Sequence, residues 1–174
     1  YKGYPKSGYC FDELLKNYHL DIETVVLRHS VLIKNNIKFN DSYNCVGDAD
    51  LFISVSLISK IKLVKQVLAK WRIHDQSITA TQKERFIYEE RDIIKRLKLK
   101  FLGNANNHSK SLKAWENRLE LRELMLIWEK KGSSIMRKKI LSNHRFRLFF
   151  ILLFFLSLVD YNNFIKIYKK FKPI

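Results

Sequence analysis

Residues 47–51, with the sequence Gly-Asp-Ala-Asp-Leu, begin the stretch of the chain that decides its fold. Apolar side chains at positions 51, 52, 55 and 58 follow the i, i+1, i+4 and i+7 spacing of one helical face. Asp48 and Asp50 lie in the first turn, where the helix dipole favours negative charge. The segment therefore predicts a helix with two carboxylates at its N-terminal end. We interpret Asp50 as a first-turn partner of the helix dipole or a structural hydrogen-bonding residue, and not as a second catalytic residue.

Two flanking segments predict β-strands. The run Thr-Val-Val-Leu-Arg at 24–28 is compact and β-branched, as in a buried strand. Residues 67–74 (VLAKWRIH) alternate with the period of a strand, and Arg72 and His74 share one face with a lysine. Because Gly and Pro are rare, long regular elements are expected, mostly helices. The predicted fold class is a helix-rich α/β domain with few strands.

The rest of the chain predicts helices. They are expected at 11–18 and 31–33, from a capping-box pattern at 81–84 to Phe101, and at 112–128. The stretch GNANNHSKS at 103–111 is typical of a linker. We therefore predict a first domain at 1–102, a linker at 103–111 and a helical C-terminal region at 112–174.

The charge of the chain indicates a polyanionic partner. Lys and Arg number 33 against 17 Asp and Glu, a net charge of +16. Anionic lipid, a phosphorylated substrate and nucleic acid all fit this charge, and so does a solvated basic surface. No nucleic-acid-binding motif is present, so nucleic acid is not an expected partner. Cys10 and Cys45 lie far apart and are expected to be free thiols.

The C-terminal region contains a continuous apolar run. Residues 148–159 are apolar except for Ser157, and basic residues flank the run on both sides. A spanning helix needs about 20 apolar residues, so a helix lying in the interface of an anionic membrane fits better. A buried helix and a membrane span are the alternatives.

The order of these segments resembles family-2 glycosyltransferases. That family shows an Arg-ended strand and a helix before a Phe-Asp, then a Glu-Asp-x-Asp-Leu helix and a Tyr-Arg-x-His segment followed by Ser or Thr. Here the corresponding segments are 24–32, Phe-Asn at 39–40, the 47–51 helix start, 67–74 and Ser-Ile-Thr at 77–79. The resemblance covers roughly residues 8 to 100, with Gly47 and Ser54 where the family usually has Glu and Arg.

The resemblance implies an inverting transfer from a nucleoside-diphosphate sugar to a cell-surface or lipid-linked glycan. It implies a Rossmann-like A-type fold, of which this chain is the C-terminal, acceptor-side portion, incomplete and inactive by itself. Asp48 matches the catalytic general base, and His74 matches a histidine near the diphosphate and metal. Arg72 is expected to bind the leaving diphosphate, as is Arg28 if it faces the same cleft.

The same resemblance implies a Mg²⁺ or Mn²⁺ cofactor, with its main carboxylate ligands in a half that precedes residue 1. The expected location is cytoplasmic, on the inner face of the cell membrane. The alternative function is a non-catalytic module that binds membranes peripherally through its basic, apolar C-terminal helix.

Overall fold

The structure is a computed structural model that describes residues 7–72, 74–102, 108–142 and 148–171. The chain divides into two compact units, Tyr1–Arg118 and Leu119–Ile174. The helices are α1 (Phe11–Lys16), α2 (His29–Lys34), α3 (Gly47–Ile58), α4 (Ile78–Thr81), α5 (Lys83–Lys100), α6 (Ser109–Lys131), α7 (Ser133–Ser142), α8 (Leu148–Leu156) and α9 (Tyr161–Phe171), with a 3₁₀ turn at Ile22–Thr24.

The predicted α/β, Rossmann-like fold is wrong, because the described residues contain helices and no β-sheet. Their one β-bridge joins Gly8 to Ile61 through two backbone hydrogen bonds of 2.8 Å. A strand requires a neighbouring backbone for its N–H and C=O groups, and neither predicted strand has one among these residues. Val26 in the first predicted strand is 97% exposed, and Val67 in the second is 93% exposed.

The helices predicted from periodicity are confirmed, with shifted ends. Each predicted segment, including the apolar run at 148–159, overlaps a helix of the structure. The predicted capping box is wrong: α5 begins at Lys83, and its N-cap Gln82 makes no side-chain capping bond. Ser77 instead caps the short α4, accepting a hydrogen bond from the Ala80 N–H.

The first unit has a core in which α1 and α3 pack together. Two polar contacts are built into this unit: buried Trp115 donates its Nε1–H to Glu90 at 2.7 Å, and Arg118 donates to the Leu15 carbonyl at 2.7 Å. Burial of each large apolar side chain stabilises the fold by about 1.5–3 kcal/mol. The buried apolar residues include Phe11, Leu14, Leu15, Phe52, Ile53, Ile93, Ile94, Leu97, Phe101 and Leu112.

The second unit has its own core around Trp128. The Trp128 ring meets the Tyr161 ring edge-on at 5.5 Å and the Phe164 ring at 4.9 Å. Gly132 ends α6 with φ +82°, a conformation that favours glycine, and its N–H bonds to the Trp128 carbonyl. Leu124, Met136 and Leu153 complete the buried cluster. The helices of this unit can therefore bury a shared apolar interior.

The division between the two units falls within α6, between residues 118 and 119 of the chain. Residues 103–107 of the predicted linker lie outside the described residues, and α6 begins at Ser109. The predicted domain limits stay a prediction. Among the described residues, every helix is too short or too polar to cross a membrane.

We predict that Trp128→Ala destabilises the second unit by about 3–5 kcal/mol, because it removes a large buried side chain and two ring contacts. Urea unfolding followed by far-UV circular dichroism measures the change. Trp71→Ala is the matched control, since Trp71 is exposed and its removal should cost less than about 0.5 kcal/mol. Equal losses of stability in the two variants would contradict the core assignment.

Candidate functional site at the start of α3

A buried carboxylate from α5 holds the chain where it enters α3. Glu89 accepts hydrogen bonds from the backbone N–H groups of Asn44 at 3.0 Å, Cys45 at 2.8 Å and Val46 at 3.1 Å. The three N–H groups lie directly before the first turn of α3. Backbone N–H groups at the start of a helix have no partner within the helix. A carboxylate here also interacts favourably with the helix dipole. The start of α3 is therefore fastened to α5.

Hydrogen bonding keeps Glu89 ionised despite its burial. Burial alone raises the pKa of Glu89, but the three backbone N–H groups and Arg85, at 2.8 Å, outweigh this effect. The net result is a pKa below the ordinary glutamate value. Sequence analysis missed this residue, because 43 to 45 positions separate Glu89 from the groups that it binds.

A second group of polar contacts fastens the same helix. Asp50, which is buried, accepts a hydrogen bond of 2.6 Å from Arg96 Nη2. Arg96 Nε also donates to the Tyr43 hydroxyl at 3.1 Å, and that hydroxyl donates to Asp92. Burial and the bond to Asp92 raise the pKa of Tyr43 to about 12. The structural role predicted for Asp50 is confirmed.

Asp48 occupies a different environment in the same turn. Its side chain is half-buried, and Oδ1 accepts a hydrogen bond of 2.7 Å from the Ala49 N–H. Burial raises the pKa of Asp48, and the charges of Asp21 and Glu23 raise it further, against the lowering effect of backbone hydrogen bonds. A carboxylate with a raised pKa is a stronger base than an exposed one, which suits proton abstraction.

Tyr18 is the polar neighbour that the sequence did not reveal. Its hydroxyl is buried and has no hydrogen-bond partner among the described residues. Burial raises the pKa of Tyr18, and the charges of Asp48 and Asp21 raise it further, so the hydroxyl stays protonated. A buried hydroxyl without a hydrogen-bond partner destabilises the fold. A ligand oxygen that accepted a hydrogen bond from this hydroxyl would remove that cost. No sequence pattern marks Tyr18, because the effect of the Asp48 charge on its pKa arises only in the folded chain.

The predicted cationic residues are placed on the surface. Arg28, Arg72 and His74 are exposed, and among the described residues no hydrogen bond or ion pair connects them to Asp48. Arg28 precedes α2, where its carbonyl accepts the Val31 N–H, and the His74 carbonyl accepts the Ser77 N–H. The charges that act on the pKa of Asp48 are acidic, not cationic. Arg28, Arg72 and His74 as partners of Asp48 in one site therefore stay a prediction.

The described residues do not fit the predicted Mg²⁺ or Mn²⁺ site by themselves. Among them, no group of three or more His, Cys, Asp or Glu side chains is arranged to hold a metal ion. Cys10 and Cys45 are free thiols, as predicted, and burial raises the pKa of both. His74 as a metal ligand therefore stays a prediction.

Comparison of the chain with protein-family models, curated proteins and solved structures found no match. The candidate site at the start of α3 therefore rests on its own geometry.

We predict that Glu89→Gln destabilises the first unit by about 2–4 kcal/mol at pH 7, because one buried acceptor becomes a donor facing backbone N–H groups. Since the folded-state pKa of Glu89 lies below its unfolded value, its contribution is present above about pH 4.3 and disappears as the pH falls through the folded pKa.

Urea midpoints of wild type and Glu89→Gln, measured from pH 7 down to acid, test this assignment. The gap between the two proteins should narrow below about pH 4.3. Asp75→Asn is the control, because it makes the same chemical change at an exposed residue and should have little effect. A gap that is independent of pH would show that the charge of Glu89 is not responsible.

Proposed function

We propose that this chain is the acceptor-side portion of an inverting glycosyltransferase, with Asp48 as the general base. The sugar would pass from a nucleoside diphosphate to a cell-surface or lipid-linked glycan at the cytoplasmic face of the membrane. The main support is the half-buried Asp48, whose pKa is raised at a helix start that Glu89 and Arg96 hold in place. The ordered resemblance to family-2 glycosyltransferases adds to it.

In the proposed reaction, the acceptor hydroxyl loses its proton to Asp48 while its oxygen attacks the anomeric carbon. The bond from that carbon to the diphosphate breaks, and its electron pair leaves with the diphosphate. The Ala49 N–H orients the carboxylate through Oδ1, and Oδ2 takes the proton. The buried Tyr18 hydroxyl supplies a donor for an acceptor oxygen. A positioned base of this kind contributes about 10²–10⁴-fold to the rate.

The leaving diphosphate requires positive charge in the transition state. Arg72 and Arg28 would supply fixed cations, and His74 would supply a hydrogen-bond donor. All three side chains are exposed, so they are open to a ligand. In this proposal the nucleotide, with its Mg²⁺ or Mn²⁺, is held mainly by residues that precede this sequence in the same enzyme. Turnover is therefore expected from the extended protein and not from residues 1–174 alone.

We predict that Asp48→Asn lowers sugar transfer by the extended protein by about 10²–10⁴-fold and leaves sugar-nucleotide binding unchanged. Transfer to membrane glycolipid extracts and calorimetric titration with the sugar nucleotide measure the two effects. Asp41→Asn, at an exposed acidic residue, is the control and should keep full activity. Full turnover by Asp48→Asn would remove Asp48 from the mechanism, and an extended protein that binds no sugar nucleotide would end the proposal.

We also predict that Asp48→Asn stabilises residues 1–174 at pH 7, raising Tm by about 2 °C. Because the folded pKa of Asp48 is raised, the protonated form stabilises the fold, and this stabilisation disappears as the pH rises through the folded pKa. Asparagine removes the charge and keeps an Oδ1 acceptor for the Ala49 N–H. Thermal unfolding at pH 7 and pH 3 measures the difference, which should shrink in acid.

Asp41→Asn provides the baseline for this measurement and should change Tm little at either pH. A lower Tm for Asp48→Asn at pH 7 would mean that the ionised carboxylate stabilises the fold. In that case Asp48 would be a structural helix-capping residue and not a base held ready for proton transfer.

A further inference from the structure

The outward side of α8 is apolar throughout its described length. Leu153 and Ser157 are buried within the second unit. The exposed residues follow the same spacing past the end of the helix, at i, i+1, i+4, i+5, i+7 and i+8. We call this surface the α8 face, and it consists of Ile151, Leu152, Phe155, Leu156, Leu158 and Val159. A contiguous apolar surface of this kind marks an interaction site more often than scattered exposed residues do.

The unit that carries this face has a strongly positive net charge. The unit Leu119–Ile174 contains twelve Lys and Arg and four Asp and Glu residues, a net charge of +8. After Gly132 the single acidic residue is Asp160, against nine basic residues. Asp160 is engaged at the start of α9, where Oδ2 accepts the Asn162 N–H at 3.0 Å. The α8 face thus belongs to a strongly basic unit.

This charge favours an anionic bilayer over a second copy of the chain as the occupant. Two copies docked through their α8 faces would bring together two units that each carry a net charge of +8, and these units would repel each other. Acidic lipid headgroups carry the opposite charge and would attract the unit. The nine residues of α8 are about 14 Å long, about half of the 30 Å hydrocarbon core. A helix of this length can lie in the interface with one face among the acyl chains.

We propose that the second unit docks on anionic lipid bilayers through the α8 face, with α8 parallel to the membrane plane. The apolar side chains enter the boundary between headgroups and acyl chains, and the basic residues attract the headgroups. Lys166 lies beside Ile167 and Tyr168 on the exposed part of α9, so α9 also offers apolar and basic groups together. Docking through this surface does not depend on the catalytic role proposed for Asp48.

Vesicle co-sedimentation of the full chain tests the surface. We expect wild type to bind vesicles of phosphatidylcholine mixed with phosphatidylserine, to bind pure phosphatidylcholine at least about tenfold more weakly, and to be released by salt. The double substitution Leu152→Ser/Phe155→Ser should lower binding about tenfold or more. These side chains are 57% and 59% exposed, so the fold should tolerate the change.

Ile135→Ser/Leu141→Ser is the matched control, because these α7 side chains are 48% and 53% exposed within the same unit. It should bind vesicles as wild type does. Circular dichroism checks that each variant keeps its helices, and Leu152→Ser alone is the milder variant if the double substitution unfolds. Asp48→Asn should bind vesicles normally, which separates this surface from the proposed catalytic function.

Three results would overturn the proposal. The first is a failure of wild type to bind anionic vesicles, and the second is equal binding by the two double variants. The third is a wild-type dimer in size-exclusion chromatography that Leu152→Ser/Phe155→Ser converts to a monomer, without vesicle binding by either protein. That last result would identify a second copy as the occupant of the α8 face.

Discussion

The buried carboxylate of Glu89 is the contact on which the arrangement of the first unit depends. Transfer of a charge into the interior is costly unless hydrogen bonds replace the lost water. Three backbone N–H groups and Arg85 provide those bonds, and charge-assisted bonds are about twice as strong as neutral ones. As a result, α5 fixes where the chain enters α3, and everything attached to the first turn of α3 inherits that position.

The two aspartates of this turn illustrate how position decides role. Asp48 and Asp50 are two residues apart, and side chains at that spacing leave a helix on different sides. Asp50 is buried and forms an ion pair with the exposed Arg96, which joins α3 to α5. For Asp48, burial and the charges of Asp21 and Glu23 raise the pKa, so its ionised form is disfavoured. One carboxylate therefore holds the helix, and the other has a raised pKa.

The second unit has two kinds of apolar surface, one buried in its core and one exposed. Trp128 and its neighbours supply an interior, while the outward residues of α8 stay exposed although they are equally apolar. Nine residues are too few to span a bilayer, and the unit carries a net charge of +8. The membrane surface proposed for this unit combines this short length, one exposed apolar face and positive charge. Hydropathy alone does not distinguish this case from a buried helix.

The helices followed from the sequence because their signals are local. The spacing of Leu51, Phe52, Val55 and Ile58 is sufficient to define α3, since each contact lies within two turns. The strands predicted at 24–28 and 67–74 depend on distant backbone partners, which no local pattern supplies. The same limit applies to the capping box: the four-residue pattern at 81–84 is present, yet Gln82 at the start of α5 makes no side-chain capping bond, and Ser77 caps the preceding helix α4.

For the candidate site, the sequence by itself determined that Asp48 and Asp50 begin a helix and that Asp50 is structural. Only the tertiary structure decided that Glu89 anchors that helix and that Arg28, Arg72 and His74 lie on the surface. It also decided that the charges of Asp21 and Glu23 raise the pKa of Asp48. The physical reason is the range of the interactions. Helix periodicity is read within a few residues, whereas burial and charge depend on groups brought together from far along the chain.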